Sequence, residues 1–109
     1  MKIENLPISI TDWNKLSSVG VRGETGKAVS RELDEGNVRV RIVEYSAHYK
    51  ADHWCSKGHI VLVMEGDLSV ELEDGRMYDL KGDMSIQIGG NVAAHRVYSK
   101  NGARVVIFD

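Results

Sequence analysis

Two histidines and the chain's single cysteine fall within seven residues, in the stretch H-W-C-S-K-G-H from His53 to His59. Imidazole nitrogen and thiolate sulfur are good donors for zinc, copper, iron or nickel. In an extended segment, side chains two apart project from one face, so His53 and Cys55 pair while Trp54 points away. Ser56-Lys57-Gly58 can turn the chain and bring His59 back toward the same interior. His95 is the best candidate for a fourth donor, which completes tetrahedral coordination. Such a centre can polarise a carbonyl, acidify bound water or, with iron, bind dioxygen. Three other readings stay open. The four residues can be independent polar or core positions; Cys55 can be a small buried hydrophobe beside three histidines; or Cys55 can be a reactive thiol whose pKa is lowered by His53 or His59.

The elements that must position these donors read as strands. Eleven glycines, a single proline and frequent turn signals leave little room for long helices. From Asn37, N-V-R-V-R-I-V-E-Y alternates Val38, Val40 and Ile42 against Arg39 and Arg41, the period of a strand with one face on a core and one in water. His59 to Glu65 is a nearly continuous apolar run closed by Gly66, which suits a strand covered on both faces. Asp74-Gly75 then separates two period-two segments, Leu68/Val70/Leu72 and Met77 to Leu80, as a hairpin does. Lys81-Gly82-Asp83 turns the chain into a strand with Met84, Ile86 and Ile88 on one face, and a further strand runs from His95 to Ser99. Asn101-Gly102 makes a second hairpin turn before A-R-V-V-I-F. Many short strands joined by tight turns predict an all-β, jelly-roll-like barrel. Residues 1–36 are less legible. Thr11 can cap a short helix carrying Trp13 and Leu16, which then cover an open barrel end. Val21 to Ala28 lacks the first glycine and the final Ser/Thr of a phosphate loop and reads as a glycine-rich turn.

At 109 residues the chain is one domain. A net charge of -2 provides no attractive field for a phosphate backbone, so nucleic acid is not expected as a partner. The longest uncharged apolar run, Ile60 to Met64, is too short to span a membrane, and M-K-I-E-N-L-P-I-S-I has no apolar signal core. A lone cysteine fits a reducing compartment, and a cytoplasmic protein is the expectation.

The donor arrangement resembles the cupin family. The first cupin motif, G-x5-H-x-H-x3,4-E-x6-G, is matched in spacing by His53-x-Cys55-x3-His59-x6-Gly66, with Cys55 in the place of the second histidine and His59 in that of the glutamate. The second, G-x5-P-x-G-x2-H-x3-N, resembles Gly82 to Gly90 followed by His95; Ile88 replaces the usual proline, and four residues rather than two separate Gly90 from His95. A-D-H-W-C-S-K-G-H also resembles a group of small cupins named for an Asp-His-Cys-Trp motif, here in the order Asp52-His53-Trp54-Cys55. The resemblance covers roughly residues 37–109 and implies a double-stranded β-helix barrel, with 1–36 as an N-terminal arm and edge segment. It further implies a divalent transition metal on His53, Cys55, His59 and His95. The implied function is a metal-dependent enzyme acting on a small polar metabolite, dioxygenase- or isomerase-like, or a non-catalytic module that binds a sugar or small acid. An open metal position favours the first and four tight protein ligands the second. Small cupins commonly form homodimers through the outer sheet or the N-terminal arm, with Trp13 available for such a contact.

Overall fold

A computed structural model describes residues 2–109. Nine strands follow one another along the chain: β1 (Val19–Arg22), β2 (Lys27–Glu35), β3 (Val38–Tyr45), β4 (Tyr49–Lys50), β5 (His59–Leu72), β6 (Met77–Lys81), β7 (Ser85–Ile88), β8 (His95–Ser99) and β9 (Ala103–Phe108). All their pairings are antiparallel. The larger sheet runs β1-β2-β3-β9-β5-β7, and the smaller runs β6-β5-β8-β4. The all-β jelly-roll barrel expected from the turn spacing is what forms. No helix of the described residues is long and apolar enough to cross a membrane.

Strand β5 belongs to both sheets. The sequence suggests that Gly66 ends a strand; instead the strand continues through it for 14 residues. Its first half pairs with β7 and β9, and its second half with β6 and β8. The change of sheet occurs at a register shift between Val63 and Glu65, and Gly66 there has φ +85°. A Cβ on Gly66 would lie 2.0 Å from the carbonyl oxygen of Gly102. Glycine is thus required both for the left-handed backbone and for the close approach of the neighbouring strand, as a bulge at a barrel corner demands.

The core lies between the sheets. Val63 and Val105 meet in register across β5 and β9 and are fully buried, as are Leu68 and Val70 on the second half of β5. Burying each such side chain contributes about 1.5–3 kcal/mol. On β3, however, the alternation has the opposite sense to the simplest expectation. Val43 is buried, and Arg39, Arg41 and Tyr45 on the same face line an interior cavity. Val38, Val40 and Ile42 therefore face outward. There Val40 lies beside Leu33 and Phe108, and Ile42 beside Val106, so the outer surface of the larger sheet is a half-buried apolar stripe. A period of two assigns residues to faces but not faces to the inside.

The N-terminal third contributes β1 and β2 to the edge of the same sheet. Among the described residues only one turn of 3-10 helix forms, Trp13–Lys15, and its cap is Asp12, whose side chain accepts from the Asn14 N–H, rather than Thr11. Glycines 23 and 26 lie in the turn joining β1 to β2, as the glycine-rich reading of Val21 to Ala28 requires. Asn37 ties down the start of the chain: its side chain accepts from the Glu4 N–H and donates to the Lys2 carbonyl.

Candidate metal centre

Three of the four expected donors come together. One ligand atom from each of Cys55, His59 and His95 lies within 4.8 Å of the others. Cys55 and His95 are joined by an isolated bridge in which each N–H donates to the other's carbonyl, at 2.8 and 2.9 Å. Such a directly opposed pair projects both side chains to the same face. His59 opens β5, and its Nε2 lies 3.4 Å from the Cys55 Sγ. The His59 and His95 rings meet edge to face at 5.3 Å between centroids.

His53 stands apart from this group. Its side chain is 73% exposed and its Nδ1 pairs with Asp52 Oδ1 at 2.7 Å. The two-residue alternation that would align it with Cys55 fails because residues 51–58 form bends and a single bridge rather than a strand. His53 instead sits on the cavity rim with Trp54. Trp54, expected to point away, lies beneath the Arg96 guanidinium, 4.4 Å from the ring centroid, as a cation–π pair. His48 is exposed, while the rings of Tyr45 and Tyr49 pack 4.7 Å apart on the cavity wall. Tyr78 lies outside on β6.

The two clustered imidazoles differ in what stands behind them. His95 is 4% exposed; its Nδ1 donates to the Ala93 carbonyl at 3.0 Å, which leaves the buried Nε2 with no partner. His59 turns Nδ1 toward Asp109 Oδ2 at 3.4 Å without forming a hydrogen bond, and its Nε2 faces the Cys55 thiol. Burial pushes the His59 pKa below its ordinary value; Asp109 opposes this, while His95, Arg41 and Lys57 reinforce it, so the ring is neutral at pH 7. A ligating histidine offers a free nitrogen lone pair and commonly has its opposite nitrogen hydrogen-bonded, and His95 has both. The 3.4 Å between sulfur and nitrogen also matches the roughly 3.5 Å edge of a tetrahedral zinc site built from Zn–S and Zn–N bonds of about 2.3 and 2.0 Å. Thiolate and imidazole donors with a buried, unpartnered nitrogen fit a transition metal.

Asp109 is the residue beside the cluster that the sequence pattern does not reveal. It follows β9, and its N–H extends the ladder to the Arg39 carbonyl at 3.1 Å. Its carboxylate, 9% exposed, receives Arg39 Nη1 and Arg41 Nη2, each at 3.1 Å, on the same oxygen that faces His59. Nothing in its spacing distinguishes it from any charged residue closing a strand. The signal that could have found it is the surplus of arginines on β3, which need a buried counter-charge. Arg39 also pairs with Glu32 on β2.

The donors face a cavity of about 460 Å³. No protein-family model matches the chain, and no curated protein matches its sequence. Solved structures do resemble its fold. Ectoine synthase from P. lautus superposes with a TM-score of 0.76 at 16% identity over 94% of this chain and 78% of that one. Fe(II)-HppE with an alternative substrate gives 0.74 at 13% identity over 94% and 60%. A cupin-like protein from Thermotoga maritima gives 0.69 at 18% identity over 82% and 77%. The nine strands, the strand shared between two sheets and these superpositions together establish that the described residues have the jelly-roll barrel fold of a small cupin.

Proposed function

We propose that this chain is a small metal-binding cupin that holds a divalent transition metal on Cys55, His59 and His95 and acts on a small polar metabolite in the adjoining cavity. The observation that carries this reading is the buried Nε2 of His95, unpartnered beside a thiol and a second correctly oriented imidazole. The Cys55 Sγ lies 3.4 Å from His59 Nε2, and a bound ion would take the place of the proton between them. One thiolate with two imidazoles suits zinc or copper. Iron, which the HppE structure contains by name, is the alternative if Cys55 is not a ligand.

A bound ion would supply Lewis-acid polarisation of a substrate oxygen and acidification of a coordinated water. The protein's own groups orient the site. Ala93 fixes the His95 imidazole, Asp109 faces that of His59, and Cys55 is held by the main-chain bridge to His95. Three clustered protein donors beside a cavity favour an open coordination position, and hence an enzyme, over the closed site of a purely structural or sensing module.

The test begins with elemental analysis of protein purified without added metal, where about one equivalent of zinc, copper or iron is expected. Cobalt(II) substitution should give a thiolate-to-metal charge-transfer band that Cys55→Ser lacks even at saturating cobalt. Protein that takes up no metal sinks the proposal, and a cobalt spectrum without the thiolate band removes Cys55 from the ligand set.

We also infer a homodimer, in a reducing cytoplasm that keeps Cys55 free. The apolar outer stripe of the larger sheet supports it, as do Ile8 and Ile10, which are 105% and 98% exposed in the N-terminal arm. Light scattering should give twice the mass of one chain, falling to a single chain in Ile42→Lys; a monomeric wild type at micromolar concentration excludes the dimer.

A further inference from the structure

We infer that the cavity beside the metal centre takes a small organic carboxylate, anchored by Arg41 and Arg39 and enclosed by apolar and aromatic side chains. This names the substrate class for the function proposed above and rests on that reading for its chemistry, though not for its binding.

Charge is the first ground. Arg39, Arg41, Lys57 and Arg96 all line the cavity, and no carboxylate does. Their counter-charges lie behind or beside them: Asp109 for Arg39 and Arg41, Glu32 for Arg39, and Glu71 for Arg96. Lys57 has no acidic partner among the described residues. Four cations against three carboxylates leave the wall positive, and a divalent ion on one thiolate and two neutral imidazoles adds to that. A neutral sugar or a cation gains nothing from such a wall.

Unfinished hydrogen bonding is the second. Both guanidinium groups converge on a single oxygen, Asp109 Oδ2, and Arg41 Nε is buried with no partner at all. An arginine presents five donors in a planar fork, so much of this pair's capacity is unused. A second carboxylate is the group whose shape that fork fits. In this sense Asp109 is an internal competitor. It neutralises the pair when the cavity holds no anion, and it shares the pair when an anion arrives.

Shape is the third. The volume of about 460 Å³ falls in the range of small-molecule sites. Apart from the cations and the metal donors, the wall is built largely from Val61, Val70, Ile86, Ile107 and the paired rings of Tyr45 and Tyr49. Burial keeps the Tyr45 phenol protonated, so it adds no negative charge. These groups suit an apolar or aromatic body attached to the carboxylate, and exclude water from the arginine contacts, which strengthens them.

Benzoate has this chemistry and benzamide has its shape without the charge. Calorimetric titration of chelator-treated protein, and of the same protein loaded with zinc, should show benzoate binding at least tenfold more tightly than benzamide in both. Arg41→Gln should weaken benzoate at least tenfold, with Arg39→Gln and Arg41→Lys as further variants should that one not fold. Asp109→Asn should tighten benzoate several-fold, because the internal competitor has lost its charge; an Asp109 that served only as scaffold would give a loss. Equal affinity for benzoate and benzamide overturns the inference, as does benzoate affinity unchanged in both Arg41→Gln and Arg39→Gln. Inorganic phosphate binding more tightly than benzoate overturns the carboxylate class. Binding confined to the zinc-loaded protein would show that the anion sits on the metal and not on the arginines. If instead the protein takes up no metal yet binds benzoate, the metal-centred function fails while the carboxylate site stands.

Discussion

His95→Ala is expected to leave the barrel folded and empty it of metal. The side chain contributes a buried donor whose Nδ1 is satisfied by Ala93 and whose Nε2 is free, so its removal deletes a ligand without exposing a hydrophobic element. The main-chain bridge to Cys55 survives, because it uses no side-chain atom. Loss of a partner behind a ligand already costs metal affinity about 10–100-fold. Loss of one of three clustered ligands should cost more, on the order of a thousandfold, and leave the ion unable to withstand desalting. Elemental analysis with a chelator competition measures this directly, and circular dichroism checks the fold. His53→Ala is the companion measurement: the exposed side chain, paired with Asp52, should be dispensable for metal retention. Retention of the metal by His95→Ala would dissolve the assigned centre.

Gly66→Ala should be the most damaging single substitution to the scaffold. The new Cβ would sit 2.0 Å from the Gly102 carbonyl oxygen and 2.8 Å from the Ala103 Cα, both on the neighbouring strand's backbone. Relief requires β9 to move or the bulge to open, and the residue must also keep φ at +85°. Left-handed backbone in a residue other than glycine costs about 1–3 kcal/mol, and forcing extra volume into a packed site costs about as much again. A penalty of roughly 2–6 kcal/mol is a large part of the 5–15 kcal/mol that stabilises a typical domain. The melting temperature should fall on the order of 20 °C. Because the two halves of β5 carry His59 and the partner of His95, metal affinity should fall with it. Thermal melts followed by circular dichroism decide the point; a Tm within a few degrees of wild type would mean that the corner is not rigid.

Much of this was legible in the sequence. The strand from Val38, the Asp74-Gly75 and Asn101-Gly102 turns and the strand from His95 are signalled by patterns local to a few residues, and local patterns survive folding. What was not legible depended on distant parts of the chain. Gly66 looks like the end of a strand because glycine usually interrupts pairing, whereas here it lets one strand change sheets. Arg39 and Arg41 look solvated because charge is usually outside, and only the tertiary placement of Asp109, 68 residues beyond Arg41, makes their inward position tolerable. His53 looked aligned with Cys55 under an alternation that the bent segment does not keep. The sequence does not signal strand β2, whose run from Lys27 to Glu35 carries five charged residues besides its apolar ones and is held by pairing along the whole of β3.

The main-chain bridge between Cys55 and His95 makes the donor set interchangeable. Since the backbone alone sets where those two positions face, a different ligand can be written into either without redrawing the barrel. Cys55→His would turn a sulfur-containing triad into three imidazoles, and Cys55→Asp would harden it toward oxygen-loving ions. Under the proposed metal reading, a single codon would change the preferred element while the cavity walls stay as they are.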